Sequence, residues 1–309
     1  MPVHPEIKKI LDTIPESDPY KKIIPEEHRK MFDQPILPTE KRVHVYSVEE
    51  KTILTSTTEI KIRIYTPEEG EEFPLLMYFH GGAFFSGNLE SHDEIVRPIC
   101  KESGYKVIAV EYRLAPEHPF PIPLDDCYQV TKWAVEHGEE LKWDGKNLAL
   151  AGDSSGGNLA AAVSLMAREK QEFTVTKQVL YYPSLDLDFS EFRYPSLIEN
   201  RKGYFVESDT LAEHNSFYLK GKVDTDYPLV SPIREENLGN LPTALVITAE
   251  YDPMRDEGEL FAEKLKNAGV RTETIRYEGV THGFLGKFTH LAEYRDVYQR
   301  TGSFLKKEM

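Results

Sequence analysis

A serine set between glycines is the first feature of the sequence that could do chemistry. The segment Gly152-Asp153-Ser154-Ser155-Gly156 follows an apolar run and precedes a run of alanines, which is the order of strand, turn and helix. At such a turn the central serine is lifted above the sheet in a strained conformation, and glycines two positions away leave room for it. Ser154 has glycine at both of these positions, whereas Ser155 has glycine on one side only. We therefore predict Ser154 as a nucleophile for acyl transfer; the alternative is a helix N-cap beside flexible glycines.

A serine hydroxyl is a weak nucleophile, and the sequence offers a base to activate it. The last strand pattern lies in TETIRYEGVTHGF, which delivers His282. A carboxylate must orient the imidazole, and four acidic residues follow the preceding strand pattern: Glu250, Asp252, Asp256 and Glu257. Loop position favours Asp252, because the last two acids begin a helix and suit its N-terminus. Ser154, Asp252 and His282 stand in the chain order found in known catalytic triads at the carboxyl edge of a parallel sheet.

A third loop offers backbone donors. The apolar run PLLMYF leads into His80-Gly81-Gly82, where glycines let the backbone approach a substrate closely. Acyl transfer builds negative charge on the substrate carbonyl oxygen, and each N–H aimed at that oxygen is worth about 2.7–4 kcal/mol. We predict the N–H groups of Gly81, Gly82 and Ser155 as an oxyanion hole; the alternative is a plain turn.

These loops act together only if the fold brings them to one edge of a sheet. Short continuous apolar runs, typical of strands covered on both faces, lie at 74–80, 106–112, 147–152, 175–182 and 243–249. Helical patterns lie at 95–103, 123–136, 157–167, 258–268 and 291–305. Strands alternating with helices predict an α/β fold with a mostly parallel central sheet and helices on both faces, whose ligands bind beyond the carboxyl ends of the strands. The alternating segment 43–65 predicts an antiparallel hairpin.

Two segments depart from this rhythm. Residues 1–40 are polar and contain many prolines, which predicts short helices broken by turns. Residues 184–236 have no strand pattern and many aromatic residues. We predict a catalytic domain of residues 41–183 plus 237–309 and a helical cap of residues 1–40 plus 184–236; the alternative for the second segment is a surface insertion. Aromatic side chains are predicted either to line an acyl pocket or to pack the cap: Phe84, Phe85, Phe189, Phe192, Tyr194, Tyr204 and Phe205.

Composition narrows the class of partner. The 309 residues carry a net charge of −15, which disfavours nucleic acid and anionic membrane surfaces. The N-terminus lacks the apolar core of a signal peptide, and no run of about 18 apolar residues predicts a membrane span, so we expect a cytoplasmic protein. Cys100 and Cys127 lack a metal-ligand spacing and are predicted to be buried free thiols, with a disulfide as the alternative. We expect neither metal nor cofactor.

Taken together, these segments resemble the hormone-sensitive-lipase-like carboxylesterases of the α/β-hydrolase fold, and most of all the thermophilic microbial members. HGGAFFSGN, EYRLAPEHPFP, GDSSGGNLAAAV, AEYDPMRDEG and GVTHGF are similar to that family's blocks and stand in its order between residues 74 and 284. The resemblance implies a triad of Ser154, Asp252 and His282 and oxyanion donors Gly81, Gly82 and Ser155. It implies supporting roles for His80, Gly152, Asp153 and Gly156. It also implies a small ester substrate and, in many members, a homodimer.

The sequence departs from the family at two positions. Ala83 stands where a third glycine is usual, and Ser155 stands where alanine is common. Because the predicted donors come from the first two glycines and from a backbone N–H, we expect activity to survive both departures. The prediction is a serine carboxylesterase acting on short- to medium-chain esters through an acyl-enzyme. A ligand receptor of the same fold is the alternative, as are an amidase and a lipase; the plant gibberellin receptors that resemble this family lack the histidine present here as His282.

Overall fold

The computed structural model describes residues 2–14, 22–35, 37–189, 193–220 and 223–308. In this part of the chain, one eight-stranded sheet runs through the molecule in the order β1-β2-β4-β3-β5-β6-β7-β8. Its strands are β1 (Ser47–Leu54), β2 (Glu59–Thr66), β3 (Phe73–Phe79), β4 (Lys106–Val110), β5 (Trp143–Asp153), β6 (Lys177–Tyr181), β7 (Thr243–Tyr251) and β8 (Thr272–Thr281). β1 pairs antiparallel with β2 and β2 with β4, while every other pair is parallel. The predicted hairpin and mostly parallel sheet are confirmed.

Helices connect the parallel strands and cover both faces of the sheet. The described helices are α1 (Pro5–Leu11), α2 (Pro25–Phe32), α3 (Asp93–Ser103), α4 (Ile122–Glu136), α5 (Ser155–Lys170), α6 (Pro195–Glu199), α7 (Ser208–Tyr218), α8 (Arg255–Asn267), α9 (Phe284–Lys287) and α10 (Ala292–Lys306). The five helices predicted from the sequence are confirmed to within a few residues at each end. Short 3₁₀ turns occur at Thr39–Lys41 and Pro232–Arg234.

The central strand β3 explains why the apolar runs are continuous rather than alternating. Leu75, Met77 and Phe79 point into the core that α4, α5 and α8 share, whereas Leu76 and Tyr78 point into the opposite core, which contains side chains of α3 and α10. All five side chains are fully buried. A strand covered on both faces must be apolar at every position, so a central strand carries functional groups only where it ends.

The segments predicted to form a cap contact each other and the loop after β3. The N–H of Ile23 donates to the Glu213 carboxylate at 2.9 Å. The Arg29 guanidinium donates to the carbonyl oxygens of Phe85 and Ala115, both at 2.6 Å. Residues 184–236 contain helices and no strand where the structure describes them. The division into catalytic domain and cap stays a prediction.

Three further sequence predictions concern thiols, membranes and metals. Cys100 and Cys127 are both buried and unpaired, as predicted. Within the described ranges, no helix has the length and apolar character needed to cross a bilayer. No cluster of three or more histidine, cysteine, aspartate or glutamate side chains there could hold a metal ion.

Candidate active site

The turn between β5 and α5 places Ser154 at the carboxyl edge of the sheet. Its backbone has φ 54° and ψ −119°, a conformation that costs a non-glycine residue about 1–3 kcal/mol. The Ser154 N–H donates to the Tyr181 carbonyl at 2.9 Å, and the Ser154 carbonyl accepts from the N–H groups of Ser184 and Asn158 at 3.1 and 3.2 Å. These backbone bonds hold the turn against its strain and leave the serine side chain half-buried.

The two glycines of the Gly152–Gly156 segment stand where no side chain fits. A Cβ on Gly156 would lie 2.0 Å from the carbonyl oxygen of Phe79, and a Cβ on Gly152 would lie 2.2 Å from that of Gly156. Both obstacles are backbone atoms, which side-chain rotation cannot move. The glycines therefore let the first turn of α5 lie against the end of β3, which brings the loops after β3 and β5 together.

The loops after β7 and β8 bring a carboxylate and an imidazole to Ser154. Nε2 of His282 lies 2.9 Å from Oγ of Ser154, and Nδ1 lies 2.7 Å from Oδ2 of Asp252. Because a carboxylate only accepts hydrogen bonds, Nδ1 carries the proton and Nε2 accepts from the serine hydroxyl. Asp252 is fully buried, and its other oxygen accepts the Met254 N–H at 2.8 Å. The Tyr182 ring packs edge-on against the imidazole at 4.7 Å.

The other three acidic candidates bind backbone N–H groups elsewhere: Glu250 that of Gly279, Asp256 that of Ser196 and Glu257 that of Leu185. Burial raises the pKa of Glu257 well above its usual value. Of the four, it is Asp252 that contacts the imidazole of His282, as the sequence predicts.

Asp153 binds the first glycine of the loop after β3. Its Oδ1 accepts the Gly81 N–H at 2.9 Å and the Tyr78 hydroxyl at 2.7 Å, and Nε2 of His92 lies 3.5 Å from Oδ2. Burial raises the pKa of Asp153, but the His92 imidazole and the hydrogen bonds from His92 and Tyr78 outweigh it, so the pKa lies below its usual value. The Gly81 N–H is thus bound to a buried carboxylate. Its prediction as an oxyanion donor is wrong, because a substrate oxygen would have to displace that carboxylate.

The next N–H groups of this loop have no such partner. In the described chain, no acceptor is found for the N–H groups of Gly82, Ala83 or Ser155. Gly82 has φ 120°, and a Cβ there would lie 2.2 Å from the carbonyl oxygen of Ser86. The sequence does not single out the Ala83 N–H, and no residue type could have signalled that it lacks an acceptor, since every residue except proline carries a backbone N–H.

The His80 side chain packs on Tyr112 and contacts the loop that follows β3. Its ring stacks on Tyr112 at 4.2 Å, and its Nδ1 lies 2.8 Å from the carbonyl oxygen of Gly81. The Tyr112 hydroxyl donates to the His80 carbonyl at 2.7 Å. Burial lowers the pKa of His80 to about 3, so the ring is neutral and acts as a packing and hydrogen-bonding group.

The aromatic residues predicted for an acyl pocket divide into two groups. Phe84 and Phe85 are fully buried; Phe84 stacks on Tyr218 at 3.8 Å, and Phe85 packs against Phe217 at 5.0 Å. Side chains with almost no exposed surface cannot line an open pocket, so for these two the pocket role is wrong, and the contacts with α7 agree with the alternative role of packing. Phe192 lies outside the described residues. For the remaining four the pocket role stays a prediction: Phe189, Tyr194, Tyr204 and Phe205.

Comparison with known proteins gives consistent relatives over almost the whole chain. A family described as "alpha/beta hydrolase fold" matches residues 76–286. An arylesterase of Saccharolobus solfataricus is 36% identical over 289 residues, which is 93% of this chain and 93% of that protein. A carboxylesterase of Mycobacterium tuberculosis is 32% identical over 291 residues, covering 92% of this chain and 89% of that protein.

Solved structures of esterases superpose on nearly the whole chain. The hyperthermophilic esterase from the archaeon Pyrobaculum calidifontis superposes with a TM-score of 0.90 at 37% identity, covering 99% of this chain and 98% of that one. A thermophilic and thermostable carboxylesterase cloned from a metagenomic library superposes with a TM-score of 0.85 at 34% identity, covering 92% and 97%.

Proposed function

The chain belongs to the α/β-hydrolase family, among its hormone-sensitive-lipase-like carboxylesterases, and is a carboxylic ester hydrolase; from this premise we propose that it cleaves short- to medium-chain esters through an acyl-enzyme on Ser154. The observation that carries the proposal is the hydrogen-bonded line from Asp252 through His282 to Ser154, with distances of 2.7 and 2.9 Å. This line has the geometry that a serine needs to lose its proton as it attacks.

In the proposed reaction, Ser154 Oγ bonds to the ester carbonyl carbon while its proton passes to Nε2 of His282. The buried Asp252 carboxylate stabilises the imidazolium and fixes its orientation. Collapse of the tetrahedral intermediate breaks the carbon–oxygen bond of the alcohol, which leaves with the proton from His282. Water then attacks the acyl-enzyme by the same route, releasing the acid and restoring the serine.

The developing oxyanion needs donors that are free when the substrate arrives. We assign this role to the backbone N–H groups of Gly82, Ala83 and Ser155, since the Gly81 N–H is already bound to Asp153. Gly82 and Ser155 keep the roles expected from the sequence, and Ala83 replaces Gly81. Donors of this kind act mainly in the transition state, because the charge they stabilise develops there.

The alternatives differ in how well the site supports them. A non-catalytic receptor is disfavoured, because His282 is present and bonded to Ser154. An amidase or a lipase would use the same residues, so the substrate series below distinguishes them. A cap over the active edge is supported by the contacts of Arg29 and Glu213. Homodimerisation, a cytoplasmic location and a thermophilic source stay predictions.

The test is an acyl-length series of p-nitrophenyl esters, with wild type and Ser154→Ala measured side by side. We expect the highest kcat/KM at about C4–C8, without added metal, and a loss of about 10⁶ in kcat in the variant. A p-nitroanilide and a long-chain triglyceride emulsion serve as the amidase and lipase arms. Full activity of Ser154→Ala, or loss of wild-type activity on adding a chelator, would contradict the proposal.

A further inference from the structure

The loop after β3 contains consecutive non-glycine residues in the left-handed region. Ala83 has φ 51° and Phe84 has φ 64°. Such a conformation costs an L-residue roughly 1–2 kcal/mol, so this backbone relaxes unless its surroundings hold it. The strained pair includes one of the proposed oxyanion donors and directly follows another, Gly82. Relaxation of the pair would therefore move the donors.

Two hydrogen bonds hold Phe84 from outside the loop. The Ala115 N–H donates to the Phe84 carbonyl at 2.9 Å. The Phe84 N–H donates to Oγ of Ser155 at 3.2 Å. The acceptor of the second bond, Ser155, is the first residue of α5 and directly follows Ser154. This bond therefore connects the loop to the turn that carries the nucleophile.

The Ser155 hydroxyl is the acceptor that the Phe84 N–H has in the structure. Ser155 is only 1% exposed, so water cannot readily replace its hydroxyl. Without this hydroxyl, the buried Phe84 N–H would lose its acceptor, an outcome that folded proteins avoid.

Resting on the function proposed above, we propose that the side chain of Ser155 is a positioning residue that holds the strained Ala83–Phe84 backbone, so that the N–H groups of Gly82 and Ala83 stay aimed at the substrate oxyanion. The effect should appear in kcat rather than KM, because the oxyanion exists in the transition state and not in the bound ester. Ala83 and Ser155 are also the two departures from the family's blocks. Glycine at 83 would adopt this φ at little cost, so the need for the hydroxyl should depend on Ala83.

The experiment is a double-mutant cycle on Ser155→Ala and Ala83→Gly. The readouts are kcat and KM for p-nitrophenyl butyrate, and inhibition by an alkyl trifluoromethyl ketone, whose adduct carries an oxyanion. We expect Ser155→Ala to lower kcat about three- to tenfold, the size of one hydrogen bond, and to weaken inhibition by the same factor at unchanged KM. In the Ala83→Gly background the loss should be smaller. Ser155→Thr keeps the hydroxyl and should retain most of the activity.

The matched control is Ser164→Ala, another buried serine of α5, whose hydroxyl donates to the Ala160 carbonyl at 2.9 Å. It should leave kcat and inhibition unchanged. If Ser155→Ala does not fold, Ser155→Cys must show the same split between kcat and KM, since sulfur is a weaker acceptor.

Unchanged kcat and inhibition in a folded Ser155→Ala would overturn the inference, while the proposed function would stand as long as Ser154→Ala is inactive. If Ser155→Ala lowered kcat by the same factor in the Ala83→Gly background as in the wild-type background, the proposed link to backbone strain at Ala83 would be overturned.

Discussion

The active edge of the sheet and the predicted cap are held in place by different kinds of contact. Around the nucleophile, backbone groups bind backbone groups: Ser154 has hydrogen bonds on its N–H and its carbonyl, and Gly156 lies against the carbonyl of Phe79. In the cap, side chains make several of the connections, such as Arg29 to the Phe85 carbonyl and Glu213 to the Ile23 N–H. Several residue types can make a given side-chain contact, whereas a close backbone contact tolerates few substitutions. We therefore expect the catalytic rate to depend on the edge and the substrate range to depend on the cap.

The largest difference between the two regions should appear when the Asp252 carboxylate is neutralised. Asp252→Asn should lower kcat about 10⁴-fold with p-nitrophenyl butyrate, because the amide no longer fixes the required tautomer of His282. Asp256→Asn is the matched control, since Asp256 lies in the first turn of α8 and binds the Ser196 N–H of the cap segment. Losses of equal size in the two variants would remove the distinction between edge and cap.

Replacing one glycine by alanine in each region tests how well the two regions tolerate an added methyl group. Gly156→Ala places a Cβ 2.0 Å from a backbone oxygen, so we expect a loss of about 3 kcal/mol or more in the free energy of unfolding, or no soluble protein. Gly203, in the cap segment, has φ 87° and no atom within 4 Å of its Cβ position. Gly203→Ala should therefore cost only the backbone strain, about 1–2 kcal/mol. Denaturant unfolding measures both, and similar costs would contradict the comparison.

Arg29 tests the contact between the two regions. Its guanidinium donates to the Phe85 and Ala115 carbonyls and also pairs with Glu117 at 2.7 Å. Arg29→Ala should loosen α2, raise KM for the longer esters by about tenfold or less, and change kcat for p-nitrophenyl acetate little. Limited proteolysis should cleave near α2 sooner. The control is Arg300→Ala, which removes an exposed ion pair with Asp296 on α10. Equal effects of the Arg29 and Arg300 substitutions would argue against a role of α2 in substrate range.

The smallest expected effect concerns pH and two imidazoles of the cap. Burial lowers the pKa of His28 and of His214 to about 4. Lys287 and Arg29 add a smaller contribution at His28, and the imidazoles of His28 and His282 do so at His214. An unfolded histidine takes up a proton near pH 6.5. Between about pH 6.5 and 4 the unfolded chain therefore binds more protons, so stability should fall as the pH falls through this window. His214→Asn should flatten the dependence of Tm on pH, whereas the exposed His44→Asn serves as control. A profile as steep as that of wild type would refute the assignment.

The sequence predicted the architecture well because the relevant signals are local. Continuous apolar runs identify strands covered on both faces, and glycine spacing identifies the turn that holds Ser154. The order of Ser154, Asp252 and His282, each directly after a strand, follows from the rule that functional groups collect at the carboxyl edge of a parallel sheet. Their mutual distances support the predicted set.

The predictions failed where the answer depended on contacts between distant residues. The flexibility of glycine predicts Gly81 as a donor, but Asp153, 72 residues further along the chain, accepts its N–H. For Phe84 and Phe85 apolar character leaves two roles open, lining a pocket or packing the cap, and Tyr218 and Phe217 of α7 cover both side chains. Residue type shows what a group can do, whereas packing decides whether the group remains available.

The most direct test of the account is covalent labelling of the nucleophile. Wild-type protein treated with diethyl p-nitrophenyl phosphate should gain one diethylphosphoryl group, in step with the loss of esterase activity. Peptide mass spectrometry should place that group on Ser154, and His282→Ala should react far more slowly. Complete inactivation with the label on Ser155, or with no label on either serine, would contradict the account.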